Sequence, residues 1–301
     1  MTTNSASLKL LPCLDSPDMA TGNRLELNIP NSMAAELGRS AVEAVNRGYY
    51  INSAGDKVDW SSQVTQAHSA KRSIAPDATL PISKGTIQPE TRVQVSNETT
   101  LKASHRLIKH GLSPIALNFA NGIHPGGGFL IGARAQEEVL CRSTALYYTL
   151  VDDPMYAYHR RRSRPDSSDW VITSPDVPVF RSDDGTDLDH PWLLSFLSSA
   201  APYAPSIGQP ESGDLLLRRI HRVLAIANAF SYHTLVLGAW GCGAFGNDPY
   251  RTAFDFRNAL ETDFKGHFSD VVFAITDWSP ERRFLGPFRD VFSPSDQEDE
   301  Q

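Results

Sequence analysis

The sequence predicts an α/β fold, a sheet of buried strands covered by helices, and three observations carry that reading. Ile115–Phe119 is a short apolar run that stops at Ala120-Asn121-Gly122, a turn signal. Gly126-Gly127-Gly128 follows, and then Val139, Leu140, Leu146 and Leu150 recur at helical spacing. Thr234–Ala239 is a second, nearly continuous apolar run that leads into Gly241-Cys242-Gly243, the pattern of a strand shielded by helices. Met33–Asn46 and Leu215–Phe230 carry apolar residues at the spacing of amphipathic helices.

In chain order, residues 1–30 are polar and turn-rich and read as a partly ordered arm. After the Met33–Asn46 helix, Gly48–Ile51 can form a short strand, Lys57–Trp60 follows it, and Ser61–Gly85 reads as loop or short helix. Thr91–Ser96 alternates as a strand does, and a helix runs from about Glu98 to His110, with Asn97 as its cap and Thr100 as a rival. Beyond Val151 the texture changes, with a basic run, Arg160-Arg161-Arg162 and Arg164, that fits a solvated helix end better than a binding rim. Trp170–Ile172 and Val177–Phe180 are two strand candidates, and Ala200–Gly213 is a proline-rich loop. A helix from Asp248 to Leu260, a strand Val271–Thr276 and a helix Arg283–Phe292 complete a single domain over residues 31–292. Residues 293–301 form an acidic tail without the composition of folded structure.

Composition narrows the function. The chain has 301 residues, 41% of them apolar and 21% charged, an ordinary profile for a folded domain. No stretch has the apolar length of a membrane helix, and the first residues lack a secretory pattern. A formal charge of −7 argues against a broad nucleic-acid surface, so no direct DNA binding is expected. Cys13, Cys141 and Cys242 form no CxxC pair, which fits a reducing compartment. The histidines (68, 105, 110, 124, 159, 190, 221, 233 and 267) show no HxH or HExxH spacing, so no metal is implied. Nucleophile-elbow and Walker patterns are absent, and the glycine triplet lacks the spacing of a dinucleotide fingerprint.

A strand that feeds a glycine loop and then a helix opening with Glu137 and Glu138 has the layout of a ligand site. Three glycines can be an idle turn, and acidic residues suit any helix N-terminus. Against that stand the entropic cost of the triplet at a strand–helix joint, where connections are short, and the apolar Phe119, Phe129 and Ile131 around it.

The spacing GGG, seven residues, QEE resembles the signature of the bacterial-type poly(ADP-ribose) glycohydrolases, a branch of the macrodomain superfamily. The resemblance runs from Asn118–Asn121 through Gly126–Gly128 to Gln136–Glu138. It resumes at Ser174–Arg181 and Leu237–Pro249, and includes Val93–Leu107 upstream. It implies a three-layer α/β/α macrodomain with a mixed central sheet and an N-terminal helical extension. It also implies hydrolysis of poly(ADP-ribose) to ADP-ribose without cofactor or metal. The expected partners are poly(ADP-ribose), ADP-ribose and poly(ADP-ribosyl)ated proteins. The protein is expected to be an intracellular monomer, cytoplasmic, or nuclear in a eukaryote.

By the same resemblance Glu138 is the catalytic acid, with a raised pKa, and Glu137 positions a ribose. The two lie about 100° apart around a helix, and physics alone permits the reverse assignment. Asn121 resembles the asparagine that holds the distal ribose, and Gln136 orients the loop or the adjoining ribose. Gly126, Gly127 and Gly128, with Gly241, Cys242, Gly243 and Ala244, supply backbone to the ligand, since glycine-rich turns can cradle a diphosphate through N–H groups. Phe245 suits stacking on a sugar. Trp278 and Phe284 are aromatic candidates for adenine, although core roles fit each better. A stiff wall from Pro175–Asp184 would restrict cleavage to chain ends. The rival readings are a reader module that binds ADP-ribose without turnover, and a hydrolase of another ADP-ribose bond such as the acetyl ester.

Overall fold

A computed structural model describes residues 6–83 and 85–294. The chain opens with strand β1 (Ser7–Leu10) and helix α1 (Pro17–Leu27), whose cap Ser16 accepts the Met19 N–H. Helix α2 (Asn31–Arg47) buries Ala34, Ala35, Gly38, Ala41 and Ala44 and ends at Gly48, which is left-handed at φ 74°. A hairpin of β2 (Tyr49–Ile51) and β3 (Lys57–Asp59) follows, then α3 (Ser61–Ala70) and β4 (Arg72–Ile74). Next come β5 (Glu90–Ser96), α4 (Thr100–Lys109), β6 (Pro114–Phe119), a 3-10 turn at Phe129–Ile131, α5 (Gln136–Ser143), α6 (Leu146–Leu150) and α7 (Pro154–Arg160). The chain continues through β7 (Val171–Arg181), β8 (Asp187–Ser199), α8 (Ala204–Ile207) and α9 (Glu211–Ala229). It ends with β9 (Thr234–Leu237), α10 (Pro249–Glu261), β10 (Asp270–Ala274) and α11 (Leu285–Val291).

Eight strands form one sheet in the order β1-β5-β10-β9-β6-β8-β7-β4. Its neighbours are parallel from β1 to β8, whereas β7 runs antiparallel to β8 and β4 to β7. Side chains alternate across it with the period of a strand. Ile115, Leu117, Leu235, Leu237, Val271 and Phe273 enter the core with α9, α10 and α11. Ala116, Val236, Val272 and Ala274 enter the core with α2 to α7. The result is a three-layer α/β/α fold with a mixed sheet.

Several expectations need correction. The arm expected at residues 1–30 supplies an edge strand and a helix from Ser7 onward, and Asn97 locks them to the sheet. Its Oδ1 accepts from Asn23 and from the Asp277 N–H, while its Nδ2 donates to Asp15 and to the Asp277 carbonyl. Asn97 therefore caps nothing. The cap of α4 is Thr99, whose hydroxyl accepts the Lys102 N–H at 3.0 Å. The helix expected to run on to Leu150 breaks at Thr144, which is extended and bridges to Val179.

The two strands expected around Ser174–Asp176 are one strand interrupted by a bulge, with Asp176 at φ 50°. The loop expected at Ala200–Gly213 contains α8 and the first turn of α9. The wall expected at Pro175–Asp184 lies in β7 and its turn, and Phe180 is buried against Tyr50 and Trp60 at 5.2 and 4.6 Å. The acidic tail lies outside the described residues from 295 onward.

Candidate active site

The carboxyl ends of the parallel strands β5, β10, β9 and β6 open into one cavity of about 580 Å³. A crevice beyond those ends is where open α/β sheets hold ligands. Asn121, Glu137 and Glu138 line it near β6, Gly241 and Phe245 near β9, and Trp278 and Phe284 beyond β10.

The carboxylate pair sits on the first turn of α5, and three side chains and a loop fix it there. Gln136 accepts the Phe119 N–H at 2.9 Å and donates to the Leu117 carbonyl at 2.7 Å and to Thr100 at 3.1 Å. Its hydrogen bonds go to the protein, so it orients the helix against β6 and α4. Glu137 is the inner carboxylate. Its Oε2 accepts the Asn121 N–H at 2.7 Å and its Oε1 the Asn118 amide at 3.3 Å. Burial pushes its carboxyl up to about 8, against the lowering effect of the Asn121 N–H, and the Glu138 charge raises it further. Glu138 is held by one bond, from the Gly128 N–H to Oε1 at 2.9 Å. Its other oxygen has no hydrogen bond among the described residues.

The glycine triplet does different work from that expected. Gly126, Gly127 and Gly128 are absent from the cavity lining and form the seat of Glu138. Gly127 is left-handed at φ 57°, and a Cβ there would run into the Glu138 carboxylate. A Cβ on Gly126, at φ 71°, would lie 2.9 Å from the Phe129 ring.

Asn121 turns the chain at the end of β6. Its Oδ1 accepts the N–H groups of Ile123 and His124, both at 2.9 Å, which leaves its amide nitrogen without a bond among the described residues.

At the second glycine loop, Gly243, Ala244 and Phe245 have no hydrogen bond to their N–H groups among the described residues, and all three line the cavity. Such a run of unpaired N–H groups suits an anion. Phe245 is half-buried and meets Tyr203 edge-on at 5.8 Å. Cys242 does not fit its expected part. Its N–H donates to the Ala239 carbonyl, its sulfur turns toward Trp240 and Thr252, and burial pushes the thiol up to about 12. Asn247, which the sequence reading missed, pins this loop through Pro202, Gly241 and Ser212.

Asp183 was also missed as a lining residue. It is 3% exposed, accepts the Thr99 hydroxyl at 2.6 Å, and burial pushes its carboxyl up to about 6. The sequence reading included it in the Pro175–Asp184 wall and in a polar turn, without singling it out. Trp278 and Phe284 both line the cavity, and Asp277 anchors their loop by accepting the Phe284 N–H at 2.7 Å.

The basic run is mostly spent locally. Arg160 donates to the Ile123 carbonyl at 2.8 Å, Arg162 pairs with Asp166 at 2.5 Å, and Arg164 pairs with Glu211 at 2.8 Å. Among the described residues no group of three or more His, Cys, Asp or Glu is set to hold a metal, and no helix is long and apolar enough to cross a membrane.

Comparison with known proteins agrees with this geometry. The model of the microbial-type PARG catalytic domain matches residues 38–182. The solved poly(ADP-ribose) glycohydrolase of Thermomonospora curvata is 40% identical, with a TM-score of 0.81 over 86% of this chain and 99% of that one. The same enzyme bound to the inhibitor ADP-HPD is 41% identical, with a TM-score of 0.80 over 86% and 99%. The Deinococcus radiodurans poly(ADP-ribose) glycohydrolase in complex with ADP-ribose is 38% identical, with a TM-score of 0.71 over 76% of this chain and 97% of that one. No curated protein sequence matches the chain. Identity at this level over nearly the whole of each relative, on the same three-layer fold, places the chain in the bacterial-type poly(ADP-ribose) glycohydrolase family of the macrodomain superfamily.

Proposed function

We propose that the protein hydrolyses the ribose–ribose O-glycosidic bonds of poly(ADP-ribose), mainly from the chain terminus, and releases ADP-ribose. The observation that carries this reading is the unequal seating of the two carboxylates. Both oxygens of Glu137 are engaged by protein N–H groups, so Glu137 stays in place and grips a hydroxyl of the distal ribose. One oxygen of Glu138 is unengaged and can reach the bond that breaks. Glu138 donates its proton to the leaving 2′ oxygen as the bond from the anomeric carbon to that oxygen breaks. The resulting oxocarbenium-like centre is stabilised by the adjacent diphosphate. Water then adds to the anomeric carbon and returns a proton to Glu138.

The rest of the cavity accommodates one ADP-ribose unit. Asn121 offers its free amide to the distal ribose, and the N–H groups of Gly243, Ala244 and Phe245 face the diphosphate. The aromatic end at Trp278 and Phe284 takes the adenosine. Neutralisation of Glu137 by burial lowers the local negative charge that would otherwise repel the diphosphate. A reader module would need no carboxylate with an unengaged oxygen at this end of the pocket.

Glu138→Gln tests the assignment, because it keeps the shape and removes the proton. Assayed in excess EDTA, the variant should lose polymer hydrolysis by about a hundredfold or more. Its affinity for ADP-ribose, measured by calorimetry, should stay within about threefold of the parent's. A rate within about threefold of the parent would remove Glu138 from the reaction.

A further inference from the structure

The loop that carries Asn121 is gripped from outside the cavity by the end of α7. His159 is 4% exposed, and its Nδ1 lies 2.9 Å from the Gly122 carbonyl while its Nε2 lies 2.7 Å from the Ser168 hydroxyl. A carbonyl can only accept, so Nδ1 carries the proton. Burial pushes the imidazole down to about 4, so near neutral pH Nε2 is bare and accepts the Ser168 O–H. The chain of donors therefore runs one way, from Ser168 through His159 to Gly122. Its last member directly follows Asn121.

The packing around that carbonyl leaves no slack. A Cβ on Gly122 would overlap Ser167 Oγ and lie 3.4 Å from His159 Nδ1. Ser167 itself is held at φ 55°, a left-handed conformation that costs a non-glycine residue energy. Arg160 fixes the next carbonyl, that of Ile123, at 2.8 Å. On the inner side the Asn121 N–H reaches Glu137 at 2.7 Å. Two consecutive carbonyls are thus held from α7 while the preceding N–H is held from α5.

We propose that His159 is a positioning residue of the site: through Ser168–His159–Gly122 it fixes the turn that aims the Asn121 amide into the cavity and presents the Asn121 N–H to Glu137. This rests on the reading of the cavity as an ADP-ribose site. His159 touches neither ligand nor reacting atoms, so its effect is expected on binding more than on turnover.

The test uses the full chain with His159→Phe, His159→Asn and Ser168→Ala, with ADP-ribose affinity by calorimetry, steady-state kinetics on poly(ADP-ribose), and Tm for each. His159→Phe should weaken ADP-ribose and raise KM by about tenfold, the worth of one buried hydrogen bond, with kcat changed by less than about threefold. His159→Asn, whose amide can replace Nδ1–H, should recover affinity to within about threefold of the parent. Ser168→Ala keeps the ring but releases its tautomer, and should cost about two- to threefold. If His159→Phe does not fold, the other two variants decide. Parental affinity in both His159→Phe and Ser168→Ala overturns the proposal, as does a folded His159→Asn no better than His159→Phe. A parent that binds ADP-ribose in a His159-dependent way yet releases none from polymer supports the positioning role and overturns the hydrolase reading. A parent that does not bind ADP-ribose overturns both.

Discussion

Glu137 owes its raised carboxyl to depth, and that has a measurable cost to the fold. Its ordinary value near 4.5 holds in the unfolded chain and rises to about 8 in the folded one. The stability it contributes is therefore complete below about pH 4.5 and is lost as the pH rises through about 8. Glu137→Gln cannot ionise and escapes the loss. Melting curves should show the variant gaining on the parent by several degrees between about pH 4.5 and pH 9. A constant difference across that window would mean that Glu137 ionises as freely when folded as when unfolded. The sequence revealed that two carboxylates at the head of α5 belong to a cavity, because QEE after a glycine loop is a local pattern. It concealed which one lies deeper, since that depends on Asn118 and Asn121 approaching from β6. The individual roles of Asp183 and Asn247 stayed hidden for the same reason: each lies in a stretch the sequence singled out, but gains its role from partners far along the chain.

The glycine loops, the long helices and the buried parallel strands were legible because periodicity and turn chemistry are written into short windows. Elements stabilised by distant partners were not. Strand β8 begins with Asp187, Asp189, His190 and Pro191, a polar stretch that pairs only because β7 folds back on it. Strand β1 likewise depends on β5, and helix α1 on the two side-chain bonds that join Asn97 to Asp15 and Asn23. The side chain of Asn97 is a joint between the first residues and the loop at Asp277. Asn97→Ala should destabilise the fold by about 2–4 kcal/mol in denaturant titration, since it leaves buried partners unsatisfied. A loss below about 0.5 kcal/mol would show that α1 is docked by its apolar contacts alone. Helix α1 also reaches the cavity, where Leu27 forms part of the wall and Asn28, just beyond it, accepts from Arg134 at 2.9 Å.

The molecule as a whole carries −7, so a polyanion can be attracted only by local features, of which the unpaired N–H groups of Gly243, Ala244 and Phe245 are one. The cavity is of the size that encloses a single small ligand, and Trp278 and Phe284, which follow β10, line it on an element separate from the carboxylates. An internal unit would have to continue past them through its adenosine ribose, so terminal units should be preferred. A time course on long, end-labelled polymer should release ADP-ribose first. Early oligomers of middle length, with little free ADP-ribose, would show that the aromatic end is open.

The strand order also sets a condition on when the site can exist. β10 comes last among the strands and lies between β5 and β9, pairing Asp270 with Arg92 on one side and with Thr234 on the other. Both glycine loops and both carboxylates are synthesised before it. Until Asp270–Ala274 has been made and has inserted, β5 and β9 have no common neighbour, and the floor between the two ends of the cavity is missing. Such late, non-local pairing is slow compared with helix formation. A nascent chain that already carries both carboxylates and both glycine loops therefore lacks the β10 side of the cavity until that strand is in place.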